Sequence, residues 1–120
     1  MPDADPVLEN AVAALAVDYW KLLRAFEALV PQAGPERAAR LSAQARFAAG
    51  RLTSHLEAAG LVLASFEGVE ITPEIPVVAI NADELADSGP AFVADTLEPA
   101  VLAGQRVIAM ARVVGRTGEA

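Results

Sequence analysis

The chain has 120 residues, no cysteine, 9 Lys+Arg against 16 Asp+Glu, and a formal net charge of −7. The length holds one domain, or one helical bundle with an extension. The charge disfavours nucleic-acid binding, which needs clustered basic residues, and the lack of cysteine excludes disulfides, thiolate metal sites and a cysteine nucleophile.

A hydrophobic content of 54% and a mean hydropathy of +0.37 exclude global disorder. Aromatics make up only 5%, so a single chain has a thin core and part of its apolar surface is expected to lie between chains. The opening MPDADP is acidic and carries no apolar segment, and no apolar run reaches a membrane-spanning length. The expectation is a cytoplasmic protein without a signal peptide or membrane span.

Asp5-Pro6 predicts a helix start, because aspartate caps free amides and proline tolerates the first helical position. Leu8, Val12, Leu15, Tyr19, Leu22, Phe26 and Leu29 then recur at alternating spacings of four and three, a heptad seam. Trp20, Leu23 and Val30 widen it, which suits a helix bundle better than a two-stranded coil. Val30-Pro31 predicts the helix end, since the residue before proline avoids α geometry. A turn over Pro31–Pro35 leads to a second helix, with Pro35 at its start and Glu36 in its first turn. Its seam is Leu41, Ala45, Ala48, Leu52 and either His55 or Leu56, and Gly60 is the expected stop. Arg37, Arg40, Arg46 and Arg51 decorate the outer faces. Two such helices form an antiparallel hairpin; two hairpins pairing into a four-helix bundle bury what one leaves open.

From Leu61 the pattern changes. LVLASFEGVEI reads as extended segments broken at Gly68. Thr72–Pro76 carries two prolines and is neither helix interior nor central strand. Val77–Ile80 predicts a short buried strand, Asn81–Pro90 an acidic loop, Phe92–Leu97 a strand and Pro99–Gly104 a turn. Arg106–Val114 reads as one last strand, with Val107, Ala109, Ala111 and Val113 on one face and Ile108, Met110, Arg112 and Val114 on the other. Gly115–Ala120 reads as a frayed tail.

Motifs of chemistry are sparse. His55 is the one histidine and has no nucleophile motif near it. Asp83, Glu84 and Asp87 lack the spacing of a calcium loop. Glu67, Glu70 and Glu74 read as surface or a partner-facing acidic edge rather than paired catalytic carboxylates. Gly104-Gln-Arg106 lacks the glycines and lysine of a phosphate loop. The expectation is a protein that is not an enzyme, with no catalytic residue, cofactor or metal. A small-ligand site would need convergent polar groups in a pocket, and no such constellation stands in the sequence.

The order of elements resembles GrpE, the nucleotide exchange factor of Hsp70 chaperones. RLTSHLEAAGLVLASFEGVEITPEI resembles the family's helix end and the "gly-val … leu/phe-asp-pro" stretch after it, with Gly60 and Pro73 at the matching points. LEPAVLAGQRVIAMARVVG resembles the family's "gly-tyr … gly-arg-val-ile-arg-pro-ala-x-val", with Arg106, Val107, Ile108, Ala111 and Val113 in register. The resemblance covers nearly the whole chain, but its motifs are largely hydrophobic patterns. Thr72 stands where the family has its aspartate, Pro76-Val77-Val78 replaces its "his-glu/gln-ala", and Ala109 replaces the last strand's arginine. The family's long N-terminal paired helices have no counterpart in this sequence.

The resemblance implies an α+β fold. Residues 1–60 form a helical hairpin that dimerises into a four-helix bundle, and residues 61–120 a small β-wing domain with a flexible C-terminal tail. It also implies a homodimer that binds the nucleotide-binding domain of an Hsp70-type (DnaK-like) ATPase and promotes ADP release. Pro73, Glu74 and Ile75 at the wing's rim, with Arg106, Met110 and Arg112 on the last strand, are the expected partner contacts. Leu8, Val12, Leu15, Tyr19, Leu22 and Phe26 are the expected dimer interface. The alternative is a dimeric interaction or scaffold module without exchange activity.

Overall fold

A computed structural model describes residues 5–85 and 89–118. The fold is α+β: a helical hairpin followed by two small β-sheets. The chain divides into two compact units, Met1–Leu61 and Val62–Ala120.

In the first unit, α1 spans Pro6–Leu29 and α2 spans Pro35–Ala58. Asp5 caps α1: its carboxylate accepts from the Val7 amide at 2.9 Å, with Pro6 in the first turn. α1 ends at Leu29 with Val30 as its C-cap, where the Val30-Pro31 step predicts the end; what differs is the geometry at that step. Val30 keeps right-handed helical geometry (φ −55°, ψ −42°), and Val30–Ala33 continues as a 3₁₀ turn. Val30 is buried, and that burial overrides the local preference of a residue before proline. The chain reverses one step later, at Gly34, whose φ of 85° favours glycine. Ala13 and Ala16 form the buried stripe of α1, Val30 in the following turn is buried as well, and Ala45 and Leu56 form that of α2. Leu41, Ala48 and Leu52 are half-buried beside them, while His55 is exposed, so Leu56 and not His55 completes the second seam. The Tyr19 hydroxyl donates to the Ala48 carbonyl at 3.2 Å and fixes the level at which the helices face each other.

α2 ends in a Schellman motif. The Leu61 amide donates to the Leu56 carbonyl at 2.8 Å and the Gly60 amide to the Glu57 carbonyl at 3.0 Å. Gly60 supplies the positive φ of 77°. Leu56 and Leu61, the positions that frequently make a hydrophobic contact in that motif, are both buried.

The second unit holds two three-stranded sheets. The first has the order β1-β4-β5, with β1 Val62–Ala64, β4 Ala100–Ala103 and β5 Arg106–Ala109. The second has the order β2-β6-β3, with β2 Val77–Ala79, β3 Ala91–Glu98 and β6 Ala111–Thr117. β2 runs parallel to β6 and β3 antiparallel to it. Val77, Val93, Ala100, Ala111 and Val113 form the core, with Phe66, Ile71, Ile75 and Leu102 packed against it.

Several expected boundaries are corrected here. The single strand Arg106–Val114 is two strands in different sheets, divided at Met110. The turn expected over Pro99–Gly104 is strand β4, and the reversal is confined to Gly104-Gln105. The Asn81–Pro90 loop holds one helical turn, α3 (Ala82–Leu85); Asp87 lies outside the described residues. The tail is strand as far as Thr117, which pairs with Ala91; residues 119–120 lie outside the described ones.

Two details tie β6 down. The Asn81 side chain spans the Gly115 backbone, accepting from its amide and donating to its carbonyl, both at 2.9 Å. A side chain thus continues the β2–β6 pairing beyond the end of β2. Thr96, facing Val113, is 2% exposed and its hydroxyl has no hydrogen-bond partner among the described residues. Asn81→Ala should cost about 1–3 kcal/mol by leaving part-buried backbone groups unpaired, read as a lowered urea midpoint. Thr96→Val should be neutral or raise stability by about 1 kcal/mol, since it removes a buried unpaired hydroxyl at little change in shape.

Candidate partner-binding surfaces

Two surfaces stand out, one on each unit. On the hairpin, the heptad seam is mostly open. Leu8, Leu15, Leu22 and Leu29 are between 61% and 73% exposed, and Tyr19 is 40% exposed; Val12 and Phe26 are half-buried. The leucines are therefore the open edge of the seam, while Tyr19 reaches α2 through its hydroxyl. The side of α1 buried against α2 is the alanine stripe. Beside the seam, Tyr19, Leu22, Leu23 and Phe26 of α1 and Gln44 and Ala45 of α2 line an apolar groove of about 340 Å³. Trp20 is stacked under Arg24, 4.6 Å from its ring centre, so its indole is engaged within its own helix.

On the β unit, Pro73, Glu74, Ile75 and Pro76 line a shallow groove of about 220 Å³ with Val107 and Met110. Its position follows from the chain path. The Pro76 carbonyl accepts from the Ala111 amide at 2.8 Å, which holds the Thr72–Pro76 turn against the point where the chain leaves one sheet for the other. Val107 and Met110, on either side of that crossing, are 48% and 46% exposed. Four of the six expected partner residues, Pro73, Glu74, Ile75 and Met110, thus meet in one place. Val107 and Pro76 complete the groove; the expected alternation had placed Val107 with the buried Val113. The break at Met110 resets the alternation, so Val107 is exposed while Ala111 and Val113 are buried.

The two arginines are placed differently. Arg106 is exposed at the start of β5, opposite Ala103. Arg112 is exposed on β6, between Val78 of β2 and Glu98 of β3. Val78 and Ile80, 49% and 52% exposed, extend the apolar surface near Arg112 and were not singled out by the sequence pattern. The Glu74 amide donates to the Thr72 hydroxyl at 3.3 Å, which fixes the turn that presents Glu74.

His55 is exposed beside Arg51, at 3.4 Å, with no nucleophile geometry. Among the described residues no group of three or more His, Asp or Glu could hold a metal ion, and no helix is long and apolar enough to cross a membrane. Comparisons with protein-family models, curated proteins and solved structures find no significant match.

Because Val107 and Met110 are half exposed, a charge at either should cost about 1 kcal/mol at most, the larger part at Val107, where aspartate is disfavoured in a strand. Val107→Asp and Met110→Asp are thus expected to melt within a few degrees of the parent chain in thermal denaturation. They disable the groove without unfolding the unit.

Proposed function

We propose that the chain is a GrpE-like cochaperone. As a homodimer in the cytoplasm, it binds the nucleotide-binding domain of an Hsp70-type ATPase and promotes ADP release. The observation that carries this reading is the groove on the β unit. Residues selected by resemblance to the family's wing, Pro73, Glu74, Ile75 and Met110, line one apolar concavity.

No covalent step is needed. Such a factor binds the open nucleotide cleft more tightly than the closed one, and that difference shifts the population toward release. Moving a 1:99 equilibrium to 99:1 takes about 5.5 kcal/mol of differential binding. The groove contributes apolar contact and Glu74 a carboxylate for a partner's cation. Arg106 and Arg112 contribute guanidinium groups suited to bidentate pairing with partner carboxylates.

The second reading, a dimeric interaction module without exchange activity, is favoured by one observation. Thr72, Pro76-Val77-Val78 and Ala109 depart from the family's pattern in and beside the groove itself.

Release of a fluorescent ADP analogue from the host's Hsp70-type proteins separates the two. Exchange predicts acceleration with at least one of them, reduced roughly tenfold or more by Met110→Asp, in line with losing an interfacial anchor of about 1.4 kcal/mol or more. Binding with unchanged release supports the scaffold reading. Neither binding nor acceleration contradicts both.

A further inference from the structure

We propose that the outer side of α2 is a docking surface for an acidic peptide segment that carries an apolar residue. This surface belongs to the hairpin rather than to the groove on the β unit, and it stands whether or not the chain promotes ADP release.

Of the helices, α2 alone has a positive balance. It holds Arg37, Arg40, Arg46 and Arg51 against Glu36 and Glu57, and no acidic residue stands between those two glutamates. It does so in a chain whose net charge is −7. Three of the four arginines fall in one row. Arg37, Arg40, Gln44, Phe47, Arg51 and Ser54 recur at alternating spacings of three and four, which places them on one side of the helix. All six are exposed.

The row is turned away from α1. Ala45 and Leu56 are the buried residues of α2, and at about 3.6 residues per turn Phe47 stands roughly half a turn from both. Phe47 is 67% exposed, so its ring is apolar area that a partner can bury. The Arg51 guanidinium lies over that ring, 5.8 Å from its centre, and stands 3.4 Å from the His55 ring nitrogen. Neither contact supplies negative charge. Neither Arg37 nor Arg51 has a carboxylate three or four residues away along the helix, while Arg40 has Glu36. Cations therefore surround an uncovered aromatic ring, and arginine and aromatic residues are the types that interfaces favour.

Charge decides the occupant. Arg40 and Arg51 are eleven residues apart, about 16 Å along the helix axis, with Phe47 between them. A segment with carboxylates at that separation and an apolar side chain between them pairs both guanidinium groups and covers the ring. The negative charge elsewhere on the chain does not prevent this, because at physiological salt exposed charges more than about 8 Å apart are largely screened. Nucleic acid is the weaker fit. Its affinity comes from many phosphate contacts, and the row offers three arginines, no lysine and a single ring.

The test uses a labelled peptide of about 15 glutamates and aspartates with a leucine at its centre, long enough as a helix to span that separation. It is titrated with the full chain at physiological salt and followed by fluorescence anisotropy. The peptide should bind at roughly 100 μM or tighter, and its Gln/Asn counterpart should not bind. Arg40→Glu and Arg51→Glu should each weaken binding roughly fivefold or more, and Phe47→Ala roughly threefold or more. Arg46→Glu is the control for charge alone. Arg46 lies about a third of a turn from the row and is exposed, so its reversal should leave binding within about twofold. All four positions are exposed, and circular dichroism checks that each variant keeps its helices. An equal loss with Arg46→Glu, an unchanged affinity in Arg51→Glu or Phe47→Ala, or no binding up to about 1 mM overturns the proposal. Tighter binding of a thymidine oligonucleotide of the same charge overturns it too. None of these outcomes touches the exchange reading, which the ADP-release assay judges separately.

Discussion

α1 carries more apolar surface than α2 can cover. The fully buried residues of the helix are small, Ala13 and Ala16, while four of its leucines, Leu8, Leu15, Leu22 and Leu29, stay open. Large side chains gain most from burial, so this allocation supports the proposed second copy. A contiguous open stripe of leucine is what an interaction surface looks like. The thin core of the hairpin follows from this allocation.

The β unit answers to a different constraint. One continuous apolar run, Arg106 to Val114, serves two sheets, so the chain must cross from one to the other. The crossing falls at Met110, where neither sheet claims the residue and its side chain stays half exposed. The proline-flanked turn 72–76 is held against the same point by the Pro76–Ala111 hydrogen bond. The groove is a consequence of this crossing. Its walls are the end of β5 with Met110 on one side and a two-proline turn on the other.

Local chemistry was legible in the sequence wherever it was decided locally. The Asp5-Pro6 start, the helix stop at Gly60, the break at Gly68 and the non-helical Thr72–Pro76 turn are all set by residues within a few positions. Non-local packing decided what was not legible. Val30 stays helical before a proline because it is buried. Ala100–Ala103 becomes a strand because β1 and β5 flank it on both edges. Gly115–Thr117 continues β6 because Asn81 and β3 hold it. The seam was visible as a heptad, but which side of α1 would face α2 was not, since alanines carry little signal in a hydrophobic pattern. The same holds for the groove: Pro73–Ile75 and Met110 were expected at the wing's surface, whereas Val107 was matched only to a strand position, and its exposure depends on the phase change at Met110.

On the proposed reading, function is carried by surfaces and differential affinity: the hairpin would supply association and the β unit the partner contact. All of it begins with the open leucine seam, so the most direct test is the molar mass of the parent chain in solution across a dilution series. The account predicts a species of twice the 12.4 kDa chain mass that dissociates only on dilution. A chain that stays at 12.4 kDa at the highest concentrations would contradict it, because the leucine side of α1 would then face water with no partner of its own kind.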